Sequence, residues 1–277
     1  MKIGNIEVRN TAHLLNPDTR LCVLVFGPSG FGKTTLGATL DKLTKKYMNK
    51  PSLFIAVEAG EGGGTMSIEK FGVDFVAPAT LNEIENITAA LKTDTHYGGV
   101  IFDSASEYVK RFVQAYALTF PSRERIATRA AGVPERSDYQ TMGEKARQHF
   151  NQLINLTTLP DLNCRKHLVI TALERDKTDE RGNPTAIQPD LPGAMAGAAT
   201  AMFQTVLGIA IRPKVYPNPD KPGQNLRVNE RVLLTDGDGI RQVKDRTGLF
   251  PNGCEPDLLE IYEKYWIPKL EQEKTNV

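Results

Sequence analysis

The chain has 277 residues, enough for one large α/β domain with a sizeable core, and its charged residues, 24% of the total, balance to a net charge of +1. That balance argues against a uniformly basic nucleic-acid coat, so any affinity for polyanions must come from local patches. The widely separated Cys22, Cys164 and Cys254 have no metal-ligand spacing. No apolar run approaches the ~18 residues of a membrane span, and the N-terminus lacks a leader pattern, so the expected location is the cytoplasm.

Residues 1–20 alternate weakly, with Ile3, Ile6 and Val8 on one face, and break at Asn16-Pro17-Asp18. They are read as an N-terminal edge segment, and residues 21–277 as a single domain. The apolar, β-branched run Leu21 to Phe26 then meets Gly27-Pro28-Ser29-Gly30-Phe31-Gly32-Lys33-Thr34-Thr35, and good helix formers follow from Thr34 to Lys46. This is the P-loop pattern GxxxxGKT in its strand-loop-helix context. Backbone N–H groups of such a loop cradle phosphates, the lysine reaches the terminal phosphates of ATP, and the Thr34 hydroxyl is placed to ligate Mg²⁺.

Ser52 to Glu58 predicts a buried parallel strand ending in a carboxylate, followed by the turn Gly60 to Gly64. Val73 to Ala77 predicts a short strand, and Thr80 to Lys92 a helix with Leu81, Ile84, Ile87 and Leu91 at helical spacing. Gly99-Val100-Ile101-Phe102-Asp103-Ser104 is a third core strand whose terminal acid fits the Walker B position for Mg²⁺; an aspartate capping the helix from Ala105 would look the same. The segment from Pro121 to Asp138 loses periodicity and gathers Arg123, Arg125, Arg129 and Arg136, which predicts a long functional loop. Tyr139 to Leu159 is helical, and His167 to Leu173 is a fourth core strand. A second polar loop with Glu174, Arg175, Lys177 and Arg181 leads through Pro184 to Gly193.

Thr205 to Ile211 predicts a fifth strand, and the prolines between Pro213 and Gly223 predict a surface loop. Arg231 to Thr235 and Ile240 to Val243 flank Asp236-Gly237-Asp238-Gly239, a C-terminal β-hairpin signal. Pro256 to Leu270 predicts a closing helix with a core-facing stripe. The fold class is thus α/β, a mostly parallel sheet flanked by helices. Walker B here is Asp-Ser, with no second acid to activate water, so the base must come from elsewhere: Glu58, 25 positions after Lys33, or Glu61.

Taken in order, GPSGFGKTT, FIAVEAGEGG, VIFDS, ITALERDKTDE, PDLPG and KDRTG resemble the RecA-like recombinase core, most closely the phage RecA-like single-strand annealing proteins, from about Leu21 to Gly248. The resemblance implies a RecA-like P-loop NTPase core with Mg²⁺-dependent ATPase activity, stimulated by DNA. It implies Lys33 and Thr34 at phosphate and Mg²⁺, Glu58 as catalytic glutamate, Asp103 at Mg²⁺, and Lys244 and Arg246 as paired basic fingers reaching a neighbouring subunit's nucleotide. It also implies single-stranded DNA as partner, bound by Arg123, Arg125, Arg129, Arg136, Arg175, Lys177 and Arg181, in annealing or recombination by a homo-oligomer. A single-strand-binding protein is a further candidate partner. No FxxA-like segment precedes the P-loop, which weakens filament formation of the recombinase kind and leaves ring or short-oligomer assembly open. Acids in both loops keep open an ATP-dependent switch or loader acting on a protein partner, and a DNA-translocating motor is a further alternative.

Overall fold

The computed structural model describes residues 2–3, 6–7, 16, 18–58, 64–119, 134, 136–192, 195–217, 219, 223–237 and 239–275. At the N-terminus, β1 (Lys2–Ile3) and β2 (Ile6–Glu7) pair antiparallel with each other. The main sheet holds β3 (Cys22–Gly27), β4 (Ser52–Ala56), β5 (Asp74–Val76), β6 (Gly99–Asp103), β7 (His167–Thr178), β9 (Thr205–Pro217) and β10 (Asn225–Leu234) in the order β10-β9-β3-β7-β6-β4-β5. Strands β3 to β7 and the start of β9 are parallel, and β10 returns antiparallel along β9.

The central strands are buried on both faces, which is why they read as unbroken apolar runs in the sequence. On β3, Val23 and Val25 face a core with Leu36, Leu40 and Leu43 of α1 (Lys33–Met48), and Leu24 and Phe26 face a second core. That second core holds Tyr108, Phe150 and Leu153, from the π-helical turn Tyr108–Val113 between α3 (Ala105–Glu107) and α4 (Gln114–Thr119) and from α5 (Arg136–Asn155). Helix α2 (Leu81–Ala90) packs on the same side through Ile84 and is capped by Thr80, whose side chain accepts from Glu83 N. The closing helix forms as α7 (Leu258–Ile261), a π-turn and α8 (Ile267–Thr275), and Trp266 and Leu258 are buried beside α1. No helix among the described residues is long and apolar enough to cross a membrane.

The strand before Glu58 is not a neighbour of the P-loop strand, since β7 and β6 lie between β4 and β3. Three expectations are corrected. The second polar loop is an antiparallel ribbon: β7 runs past the end of β3 and pairs with β8 (Pro184–Pro189). The loop from Pro213 is likewise a ribbon, since β9 continues to Pro217 against β10, with Ile211 opposite Arg231. Pro213 and Pro217 share parity on a stretch of β9 whose other edge is open beyond Gly208, a place where a missing N–H is tolerated. The C-terminal hairpin is therefore β9–β10; residues after Gly239 lead instead to β11 (Lys244–Asp245), which pairs with the start of β9.

Two buried histidines couple this fold to pH. His167 Nδ1 accepts from Leu21 N at 3.0 Å, and His149 Nε2 lies 2.9 Å from a Thr88 hydroxyl that already donates to Ile84 O. Burial pushes both down to about 3, aided by Arg20 for His167 and Lys145 for His149. A depressed histidine pKa leaves stability intact above the ordinary value of 6.5 and removes it as pH falls toward 3, because the unfolded chain takes up the protons. Unfolding free energies from urea melts should fall below pH 6.5 by up to about 1.4 kcal/mol per pH unit per histidine, and His167→Asn, which keeps an acceptor for Leu21, should flatten that slope.

Candidate nucleotide site

The P-loop leaves β3 in the middle of the sheet. Gly27 is packed so tightly that an added Cβ would lie 2.4 Å from Ile209 Cγ2, and Gly30 and Gly32 have φ of +77° and +92°, a region that side chains disfavour. Lys33 opens α1 and is 8% exposed; its Nζ donates to the carbonyls of Gly27 (2.9 Å) and Pro28 (2.7 Å) and so braces the loop. Burial lowers the Lys33 pKa, and Asp103, Glu58 and Glu174 oppose that shift in descending order. Pro28, Ser29, Phe31 and Thr35 complete the loop around it.

The three carboxylates belong to three parallel strands on one side of β3: Asp103 ends β6, Glu58 lies two residues past β4, and Glu174 lies within β7, one residue beyond the level of Gly27. Asp103 is 3% exposed and accepts from Thr34 Oγ1 at 2.7 Å and from Thr171 Oγ1. Burial pushes its pKa up, while the two hydroxyls and Lys33 pull it down. The helix that follows is capped by Ser104, whose side chain accepts from Glu107 N, so capping does not explain Asp103. Glu58 follows β4, and its neighbour Val57 is held from two sides: Val57 N donates to Asp103 O at 2.7 Å, and Arg111 Nη1 donates to Val57 O at 2.6 Å. Glu61 lies outside the described residues. Glu174, read from the sequence only as a loop acid, pairs with Arg241 (Nη2 to Oε2, 3.2 Å), and the preceding Leu173 N donates to Ser106 Oγ. Its signal was present, since it follows an apolar strand as Glu58 does.

A hydroxyl and a carboxylate in contact beside a phosphate loop form a hard oxygen donor set, which fits Mg²⁺. Among the described residues no group of three His, Cys, Asp or Glu could hold a metal alone.

The other predicted residues lie apart from this cluster. Lys244 pairs with Val206 at the start of β9, and Arg246 N donates to Gln204 O, level with the amino end of β3 and about 16 Å of strand from the P-loop. Their side chains have no hydrogen-bond or ion-pair partner among the described residues, and burial, then the Arg246 charge, lowers the Lys244 pKa. Between them Asp245 is a knot, accepting from Leu249 N (2.8 Å), Phe250 N (2.9 Å), Thr247 N (2.9 Å) and Thr205 Oγ1 (3.0 Å). Arg175 Nη2 donates to Leu191 O at 2.9 Å, tying the β7–β8 ribbon to the segment after it. Lys177 and Arg181 are exposed toward that ribbon's tip, and Arg136 is exposed at the start of α5. Arg123, Arg125 and Arg129 lie outside the described residues.

A mostly parallel sheet, a braced P-loop in its middle and strand-end acids beside the loop's lysine define a P-loop ATPase with the RecA-like core expected from the sequence. A model of the AAA domain family matches residues 19–247, and the chain belongs to that family. No curated protein matches it. Among solved structures, a KaiC-like protein from the archaeon Pyrococcus horikoshii OT3 aligns with a TM-score of 0.38 and 14% identity, over 82% of this chain and 88% of that one.

Asp103 is the first of the carboxylates that compensate the buried Lys33. Asp103→Asn keeps a hydrogen-bonding side chain beside the two threonines but removes that charge, so it should lower the melting temperature of the nucleotide-free protein by about 2–4 °C, the equivalent of ~1 kcal/mol, and abolish ATP turnover. Differential scanning calorimetry and a phosphate-release assay read the two effects.

Proposed function

We propose that this chain is an Mg²⁺-dependent ATPase that binds single-stranded DNA and promotes annealing or strand pairing as a homo-oligomer, with nucleotide held between subunits. The observation that carries this reading is the position of Lys244 and Arg246: two cations with no counter-ion among the described residues, about 10 and 16 Å of strand before their own P-loop. A cation pair left uncompensated suits an anion supplied from outside the chain, and a neighbour's γ-phosphate is such an anion.

In this mechanism Lys33 draws the terminal phosphates into the loop as a point charge. Thr34 and Asp103 would hold Mg²⁺, which would supply neutralisation of the phosphate charge. Glu58 orients the attacking water and takes its proton as the new bond to the γ-phosphorus forms and the bond to the bridging oxygen breaks. Lys244 and Arg246 of the adjoining copy stabilise the charge developing on the transferred group, which makes turnover depend on assembly.

DNA contact is supported by the β7–β8 ribbon, which projects from the same sheet edge as the P-loop and carries the exposed Lys177 and Arg181. Nucleotide state and DNA contact would then share one edge of the sheet.

Mixing Lys33→Ala with Arg246→Ala protein should restore turnover above either variant alone, because one chain supplies the intact P-loop and the other the finger. Absence of recovery at every ratio counts against shared sites. Affinity for single-stranded DNA should fall steeply with salt, and a Lys177→Ala/Arg181→Ala variant should flatten the log–log salt slope by about 1.4. No DNA binding at low salt would sink the DNA half and favour a protein partner.

A further inference from the structure

The β9–β10 ribbon does more than end the sheet, because it brings a cation onto the P-loop. Arg231, opposite Ile211 on this ribbon, lays its stem over Gly32: a Cβ added there would lie 3.2 Å from Arg231 Cδ, 3.4 Å from Nε and 3.6 Å from Cζ. Arg231 is exposed, and its guanidinium has no hydrogen-bond or ion-pair partner among the described residues. It approaches from the β9 side of β3, whereas Asp103, Glu58 and Glu174 approach from the β7 side. A triphosphate whose last phosphate lies toward those acids and Lys33 must therefore leave the loop toward Arg231.

Beside Arg231 opens a cleft of about 630 Å³ between the ribbon and the start of α7. Ile211 and Pro256 offer it apolar surface, and Asn229 and the acids Glu230, Glu255, Asp257 and Glu260 offer polar atoms, with Glu230 already accepting from Lys214 and Tyr216, Asp257 from the first N–H groups of α7, and Glu260 from Lys264. Carboxylates repel phosphate but accept hydrogen bonds from sugar hydroxyls and an exocyclic amine, and the volume suits a ring system with its sugar. The acidic walls disfavour a nucleic-acid backbone for the same reason.

We propose that this cleft receives the sugar and base of the nucleotide whose phosphates the P-loop holds, and that Arg231 binds the phosphate nearest the sugar, in cis. The inference rests on the P-loop reading above, and the test separates the two. ATP and inorganic tripolyphosphate, each with Mg²⁺, are titrated calorimetrically into the full chain. Wild-type protein should bind ATP at least about tenfold more tightly than tripolyphosphate. Ile211→Glu, at a position 41% exposed, should weaken ATP by about tenfold and leave tripolyphosphate nearly unchanged. Arg231→Ala should weaken both ligands by about tenfold, with partial recovery in Arg231→Lys. Equal wild-type affinities, or ATP binding unaltered in both the Ile211→Glu and Arg231→Ala variants, would overturn the cleft assignment. Recovered turnover in a mixture of Arg231→Ala and Lys33→Ala chains would overturn the cis placement. If Lys33→Ala binds both ligands like the wild type, the P-loop reading itself fails.

Discussion

An ammonium group buried at the mouth of a glycine loop is the constraint on which this structure depends. Lys33 cannot stay charged and 8% exposed without compensation, because an isolated charge out of water costs several kcal/mol. Compensation comes from two loop carbonyls and from three carboxylates carried by or just after β4, β6 and β7. Each acid is on a different strand, so the order of strands and the electrostatics of the site are one arrangement. Slipping or reordering a strand would leave a buried charge unpaired.

The supports of those acids are backbone contacts made by their neighbours. Val57 is bonded to Asp103 O and to Arg111, Leu173 N to Ser106 Oγ, and Asp103 to two threonine hydroxyls. Carboxylates held this way do not need to reorganise when phosphate charge arrives, which is the form of electrostatic preorganisation that phosphoryl transfer rewards. On the other side of β3 the chain does the opposite: Lys244, Arg246 and Arg231 are basic side chains without partners among the described residues. Compensated acids on the β7 side of the P-loop and Arg231 on its β9 side give that edge of the sheet a polarity along which a nucleotide can be ordered, whereas Lys244 and Arg246 lie at the opposite end of β3.

The elements that were legible in the sequence were those whose local pattern equals their environment. Leu21 to Phe26, Gly99 to Asp103 and His167 to Leu173 are buried on both faces and read as continuous apolar runs, and Gly30 and Gly32 mark positive φ. The β7–β8 and β9–β10 ribbons were not legible. Glu174 to Thr178 is polar, and Pro213 and Pro217 read as loop signals, yet both segments are strands because a partner strand satisfies their backbone in solvent.

By itself, the sequence determined the chemistry available: a P-loop lysine, a threonine and strand-terminal acids in a fixed order along the chain. Tertiary structure alone decided which of them meet. It inserted β7 and β6 between the P-loop strand and Glu58, brought Glu174 to the lysine, moved Lys244 and Arg246 to the far end of β9, and laid Arg231 over Gly32. The physical reason is that strand order and ribbon pairing are long-range, set by which faces bury together and which charges must be compensated. No window of sequence contains both partners of such a contact.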